Sequence, residues 1–289
     1  MSTQVDLFTN VEPTSVSPAI AKPFVSRSTF YQGDCLVEMN KIADKSIDMI
    51  LCDLPYGTTA SKWDKYINNT LLWEQYERII TDNGAIVLFA SGSFTNKLIN
   101  SNEKLYKYKW IWIKNEKSNF VNAKNRPMTQ FEEILIFSKG NTANGSKIKM
   151  AYYPQGTKVI NQKQPVYKNN FGSIAGKRKS HQDTFVTEIG NYPTDILFFN
   201  AKAKMHRLHP NEKPIELCEY LINTYTNEGN LVLDNCMGSG TTAIACINTN
   251  RNFIGIENNM DYFNISLKRM EEKRKEKNFN LLTSFGDEM

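Results

Sequence analysis

No apolar run in this 289-residue chain approaches the ~20 residues that a membrane-spanning helix needs. The opening stretch, MSTQVDLFTNVEPTSVSPAIAKPF, holds acids and prolines and nothing like the apolar centre of a signal peptide. A cytoplasmic protein with no membrane partner is therefore expected. Cysteine is sparse and odd in number: Cys35, Cys52, Cys218, Cys236 and Cys246. No C-x-x-C spacing occurs, so neither a disulfide framework nor a zinc site is indicated, and a reducing compartment is the simplest reading. There are only three histidines. His206 and His209 offer no ligand cluster, and His209 reads as ordering its loop. No metal is expected.

Two glycine signatures are also missing. The turn around Gly238 and Gly240 has Ala243 where a dinucleotide site wants the third glycine of G-x-G-x-x-G. No phosphate-binding lysine follows it, so it is not a P-loop. What is present is LVLDNCMGSG (231–240) followed by Thr241 and Thr242. Leu231, Val232 and Leu233 suit a strand buried on both faces, and Asp234 ends it. Two glycines let the backbone turn sharply and a ligand come close. From Thr241 a helix opens with its free N–H groups pointing back at the turn. RNFIGIEN (251–258) then ends a second strand in Glu257. Taken alone, G-S-G fits an ordinary tight turn equally well. Strand, glycine turn, helix and a second strand ending in an acid make an α/β site for an adenosine-bearing cofactor, with the acid on the ribose hydroxyls. An acid four residues before the first glycine suits a cationic amino-acid end rather than a phosphate. S-adenosylmethionine has that end.

Charge is unevenly spread. Residues 140–205 hold ten basic and three acidic side chains, a net +7, and the remainder holds 25 against 27, a net −2. Such a segment suits a docking polyanion, although a solvated lysine-rich loop would show the same bias. On either side, apolar segments alternate in kind. Strands are expected over 28–34, 46–57, 84–91, 107–115 and 130–139, and helices over 35–43, 70–80, 93–102, 215–226 and 260–277. This alternation predicts an α/β fold, a largely parallel sheet covered by helices. Residues 1–27 are polar and rich in Pro, Ser and Thr. Residues 140–205 show no helical or strand period.

A second constellation, DLPYG (53–57), ends the strand over 46–57, where α/β folds place ligands. Pro55 stiffens the turn, Tyr56 supplies a flat ring, and Asp53 is an acceptor at the strand's carboxyl end. Together with DNCMGSGTT (234–242) and His209-Pro210-Asn211-Glu212-Lys213-Pro214, it resembles the amino-methylating DNA methyltransferases, which act on adenine N6 or cytosine N4. Their catalytic Asp/Asn/Ser-Pro-Pro-Tyr is similar to DLPY here, with Leu54 at the first proline, a position where the backbone carbonyl makes the contact. Asn235-Cys236 stands where the family often has Pro-Phe. The order of catalytic motif, basic segment and cofactor motif is that of the permuted β class.

The resemblance implies a Rossmann-like methyltransferase sheet with an inserted target-recognition region. The divisions expected are an arm at 1–27, a catalytic half at 28–139, a recognition region at 140–205, a cofactor half at 206–275 and a tail at 276–289. It implies S-adenosylmethionine as cofactor and double-stranded DNA as substrate. A homodimer and a cognate restriction endonuclease are the partners it suggests. The catalytic set is Asp53, Leu54, Pro55 and Tyr56. Around the cofactor stand Asp34, Cys35, Asp53, Asn211, Lys213, Asp234, Asn235, Cys236, Gly238, Ser239, Gly240, Thr241, Thr242, Glu257 and Asn258. Asp34 and Cys35 would flank the adenine, and Lys213 would approach the methionine carboxylate. Lys177, Arg178 and Lys179 are expected on DNA phosphates. The Asp at the head of DLPY leans towards adenine N6. Cytosine N4, an RNA substrate and a non-catalytic DNA-binding module stay open.

Overall fold

The computed structural model describes residues 27–57, 66–165, 184–201 and 212–286. The expected arm, the basic run Lys177, Arg178 and Lys179, and His206, His209 and Asn211 lie outside the described residues.

Eight strands form one sheet. The first four in its spatial order are β1 (Ser28–Gln32), β10 (Asn252–Glu257), β9 (Leu231–Asp234) and β2 (Ile47–Cys52). After β2 come β3 (Ile80–Ala90), β5 (Thr129–Phe137), β4 (Tyr106–Ser118) and β8 (Ile196–Phe198). The first five run parallel, and β5 alone reverses. The sheet is thus mixed at one side, because β4 and β5 form a hairpin.

The sheet is buried on both faces, so its central strands read as continuous apolar runs rather than alternating ones. Met49, Leu51, Val87, Ile134 and Ile136 point to one face and meet α4 (Ile215–Tyr225), α5 (Thr241–Asn248) and α6 (Met260–Gly286). Ile50, Cys52, Ile86, Leu88 and Leu135 point to the other. There they meet α1 (Cys35–Glu38), α2 (Asn69–Ile79) and α3 (Ser93–Ser101). In α2 the buried positions Leu72, Trp73, Tyr76 and Ile79 follow helical spacing, and Asn68 caps the helix by accepting from Thr70 and Leu71 N–H. Among the described residues no helix is long and apolar enough to cross a membrane.

Three elements depart from expectation. The helix expected over 35–43 is only α1 and a 3-10 turn, Met39–Lys41. The Arg78 guanidinium takes the carbonyls of Met39 and Ile42 at 2.8 and 2.7 Å, so they end the helix rather than extend it. Helix α6 continues to Gly286 rather than ending near 277, since no proline or earlier glycine stops it. The stretch with no legible period holds a two-stranded antiparallel ribbon, β6 (Lys158–Pro165) with β7 (Thr184–Gly190), and the edge strand β8. The ribbon lies outside the main sheet, its described side chains at 158–161 and 188–190 are exposed or half-buried, and three residues of β8 are too few to show a period.

Strand β9 leads through α5 to β10 on one side, while β2 leads through α2 to β3 on the other. The two helices cover opposite faces. Between β9 and β2 the connections diverge, which opens a crevice at the strand ends. Gly240 begins α5 with φ +84°, and a Cβ there would lie 2.9 Å from the Ser266 Cβ of α6. Gly240→Ala is expected to destabilise the fold by about 1–3 kcal/mol through backbone strain and that clash. Urea denaturation checks this, and an unchanged midpoint would show that α6 yields freely.

Candidate active site

A cavity of about 620 Å³ occupies the crevice. Four acids approach it from strand ends: Asp34 after β1, Asp53 after β2, Asp234 at the end of β9 and Glu257 at the end of β10. Of the residues singled out from sequence, Asp34, Cys35, Asp53, Leu54, Pro55, Tyr56, Lys213, Asp234, Asn235, Cys236, Gly238, Ser239, Thr241, Thr242, Glu257 and Asn258 line it. Gly240 does not; it lies behind the turn against Ser266.

The glycine turn is held by its own acids. Asp234 accepts from the Thr242 hydroxyl at 2.7 Å and from the Cys236 N–H at 3.1 Å. Burial pushes its carboxyl up to about 7, against the opposing pull of those two hydrogen bonds. Glu257 accepts from the N–H groups of Gly238 and Asn259, both at 2.8 Å. Burial raises its carboxyl as well. Each carboxylate keeps acceptor capacity beyond these bonds. Gly238 takes φ +51°, a conformation that favours glycine. Arg269 of α6 ties the turn down by donating to the Ser239 carbonyl at 2.6 Å and to Glu212 at 3.0 Å.

The substituted pair Asn235-Cys236 fits the core differently from an aromatic residue. Asn235 is buried and accepts from the Tyr76 hydroxyl at 2.6 Å. Cys236 packs with Cys35 and Cys52. A hydrogen bond with Cys236, then burial, drives the Cys35 thiol upward, and burial pushes Cys52 up to about 12. These thiols are neutral packing groups. Asp34 accepts from the Leu36 N–H at 2.8 Å and so caps α1.

On the other side of the crevice Asp53 is 22 % exposed, enough to meet a ligand. One carboxylate oxygen accepts from the Tyr56 hydroxyl at 3.1 Å, and the other lies 2.9 Å from Lys213 Nζ. Burial raises the Asp53 carboxyl and Lys213 opposes it. The Tyr56 ring stacks on Phe94 with centroids 4.6 Å apart. Burial, then Asp53, pushes its phenol far up, so Tyr56 stays a donor. The Leu54 side chain is buried in the core, which leaves its main chain to face the cavity.

The resemblance sends Lys213 to the methionine carboxylate, whereas the structure sets it on Asp53. Its ammonium also bonds Glu132 of β5 at 3.0 Å and sits 4.9 Å over the Phe89 ring. Its donors are therefore directed at two carboxylates and a ring face. Glu132 is a site residue that sequence reasoning missed, as are Phe89, Tyr66, Asn68 and Tyr262, which line the cavity. Glu132 also pairs with Lys114 at 2.9 Å. Burial would raise its carboxyl, but Lys213 and Lys114 together hold it down at about 2. Tyr262 is the third residue of α6 and gave no separate signal. Glu132 reads as one of two neighbouring acids in an alternating strand.

A parallel-centred sheet whose strand ends carry a glycine turn, a ribose-spaced acid and an Asp-x-Pro-Tyr corner defines an S-adenosylmethionine-dependent methyltransferase fold. The comparisons with known proteins narrow the class. The N6/N4 DNA methylase family model matches residues 47–268, and the chain belongs to that family. It is 25 % identical over 255 residues to the type II methyltransferase M1.MboII of Moraxella bovis, covering 81 % of this chain and 93 % of that protein. It is 25 % identical over 257 residues to the DNA adenine methyltransferase YhdJ of Escherichia coli K12, covering 84 % and 82 %. Among solved structures, M1.HpyAVI in complex with S-adenosylmethionine matches with a TM-score of 0.57 at 25 % identity, over 84 % of this chain and 98 % of that one. The cytosine-N4-specific PvuII DNA methyltransferase shares the fold at 14 % identity, with a TM-score of 0.58 over 86 % and 91 %.

Asp234 yields a prediction about stability. Its carboxyl lies near 3.8 when unfolded and about 7 when folded, so the folded state binds the extra proton. The stabilisation is complete below about pH 4 and is lost as pH rises through about 7. Asp234→Asn, which does not titrate, should keep its stability across that window while the wild type loses it. It should gain on the wild type by up to about 4 kcal/mol by pH 8. Urea unfolding at a series of pH values measures the difference. A constant offset between the two proteins would mean that Asp234 titrates normally.

Proposed function

We propose that this protein transfers a methyl group from S-adenosylmethionine to the exocyclic N6 of an adenine turned out of a specific DNA sequence. The observation that supports this most is that one cavity holds both halves of the chemistry. The Asp53 corner stands across the same crevice from the glycine turn and Glu257. The cavity's size, about 620 Å³, suits a nucleoside-sized ligand with room for a base at its mouth. The residues present fit the cofactor's polar ends. Buried Asp234 suits the ammonium, Glu257 the ribose hydroxyls, and Asp34 with Cys35 the edge of the adenine. Asn235, Ser239, Thr241, Thr242 and Asn258 wall the space between them.

The bound cofactor supplies a methyl on a sulfonium, whose C–S electron pair stays on sulfur as the methyl passes to nitrogen. This chain's residues prepare that nitrogen. Its lone pair is delocalised into the base, so the two N–H groups need acceptors that draw it out of the ring plane. The Asp53 carboxylate and the Leu54 carbonyl serve, and Asp53 takes the proton that the nitrogen loses. Pro55 fixes the corner. Tyr56 has one face on Phe94, which leaves its other face for the flipped base. Asp at the head of the tetrapeptide and the adenine-named relative favour N6 over cytosine N4. In the same reading residues 140–205 recognise the target sequence, with Lys177, Arg178 and Lys179 on phosphates. Asn211, just before Lys213, would adjoin the cofactor. A cognate restriction endonuclease and a second copy of the chain are the protein partners this reading suggests.

Asp53→Ala should reduce single-turnover methyl transfer on the order of 10²–10⁴-fold while cofactor binding stays measurable. The assay is incubation with labelled methyl donor and duplex DNA, followed by identification of the methylated nucleoside. Label in N4-methylcytosine would replace the adenine reading, and near-normal turnover in the variant would remove Asp53 from the chemistry.

Neutralising Lys177, Arg178 and Lys179 together should weaken duplex binding for all sequences. It should also flatten the salt dependence by up to roughly 0.9 log units of slope per lost phosphate contact, with site preference retained. Unchanged affinity and slope would make the run a solvated loop.

A further inference from the structure

Four charged side chains from separate parts of the chain alternate in sign, from Asp53 at the crevice wall outward to Lys114. Lys114 of β4 lies 2.9 Å from Glu132 of β5, and Glu132 lies 3.0 Å from Lys213. Lys213, two residues before α4, lies 2.9 Å from Asp53. Side-chain exposures of 14, 17, 11 and 22 % for Lys114, Glu132, Lys213 and Asp53 keep all four from full solvation. The set is neutral only when Asp53 is ionised.

A packing role alone does not account for this arrangement. Apolar residues of similar volume commonly stabilise a fold as well as a buried ion network does, or better. Here the network ends on the one carboxylate that faces the candidate reacting nitrogen. Its order also matters. A lone lysine beside Asp53 would keep the carboxylate ionised but make it a poor proton acceptor. Glu132 draws part of that lysine's field away, and Lys114 keeps Glu132 from becoming a second uncompensated anion. We propose that Lys213, Glu132 and Lys114 are positioning residues that fix the Asp53 carboxylate and set its proton affinity for the methyl transfer. The structure thus assigns Lys213 to the catalytic acid and not to the cofactor. The inference rests on the methyl-transfer reading for the step it serves, and on the geometry for the charges.

Among the described residues, four other groups face Asp53. Tyr56 comes from its own turn, Cys52 from β2, Cys218 from α4 and Asp234 from β9. The three sulfhydryl and phenol groups are pushed upward by burial, and Asp234 bonds within its own turn across the crevice. The chain from Lys213 is therefore what a substitution can tune.

The two neighbours act in opposite senses, since Lys213 lowers the Asp53 carboxyl and Glu132 raises it. Activity that needs ionised Asp53 is lost as pH falls through its pKa. Glu132→Gln should move that acid limb of the single-turnover rate to lower pH, and Lys213→Met should move it to higher pH. Each shift should be on the order of one unit. Cofactor affinity by calorimetry should stay within about threefold in Glu132→Gln.

If Lys213→Met does not fold, the double variant Lys213→Met/Glu132→Gln keeps the net charge, and its acid limb should still lie above that of the wild type. Shifts in the same direction, or no shift, overturn the proposal. Loss of cofactor affinity of tenfold or more in Lys213→Met with an unmoved acid limb also overturns it, by returning Lys213 to the cofactor. The ¹³C-carboxylate titration of Asp53, assigned with Asp53→Asn, reads the same order of pKa values without turnover. A wild type that methylates no base would therefore defeat the functional reading while leaving this inference to stand or fall separately.

Discussion

The structure depends on one strand pairing, that of β9 with β2. Met49 lies beside Val232 and Ile50 beside Leu233, so stretches more than 180 residues apart in the chain run parallel and adjacent. Short apolar strands buried on both faces make that pairing stable, because no polar face remains to turn outward. The helices that follow the two strands then depart to opposite faces. No connection can close over the strand ends between them, and a crevice results from topology alone. Among the described residues the candidate site gathers there. The glycine turn follows β9, the Asp-x-Pro-Tyr corner follows β2, and β10 and β1 bring Glu257 and Asp34 to the same rim.

Such a concentration of carboxylates costs stability, and the ways it is offset differ across the crevice. Around Asp234 and Glu257 the compensation is hydrogen bonding from a hydroxyl and from backbone N–H groups. Those donors carry no net charge, so burial prevails and both carboxyls rise. Around Asp53 and Glu132 the compensation is ionic. Glu132 sits between two lysines and falls to about 2, while Asp53 has one shared lysine and remains raised. The turn side is thus preset to welcome a cation, and the corner side to hold an acceptor. Two carboxylates sharing one lysine acquire different proton affinities from the number of cations each touches.

Much of this was legible from the residues. The continuous apolar runs over 47–52 and 231–234 announce strands buried on both faces, and glycines followed by threonines announce the turn and the helix. Those signals are local, and local physics governs them. What stayed hidden depends on partners far along the chain. The end of α1 is set by Arg78, which lies nearly forty residues on. Glu132 meets Lys213 across 81 residues, and nothing in QFEEILIF tells which of its two acids will do so. Glu133 turns instead to Lys109 and Thr95. The ribbon of β6 and β7 was illegible for another reason, since it lies outside the main sheet and its described side chains are exposed or half-buried.

The reversed strand β5 also sets where the basic segment leaves and rejoins the sheet. Because β5 runs antiparallel to β3, the chain leaves it at the end of the sheet away from the crevice. There Ala151 N–H bonds the carbonyl of Asn83 near the start of β3, and Met150 enters the core. The segment therefore begins behind the sheet. It returns along β8, which runs parallel to β4 beside Ile111 to Ile113. The return is fixed by the Trp112 indole on the Phe199 carbonyl at 2.8 Å and by Asn115 on the Ala201 N–H at 2.7 Å. Eleven residues after Ala201 the described chain is at the crevice again, with Glu212 held by Arg269 and Lys213 on Asp53. A segment anchored to the sheet behind and before the site can vary between its anchors without moving Asp53. In the proposed function its sequence is thus free to follow a nucleic-acid target, while β8 and the pairs around Lys213 stay fixed.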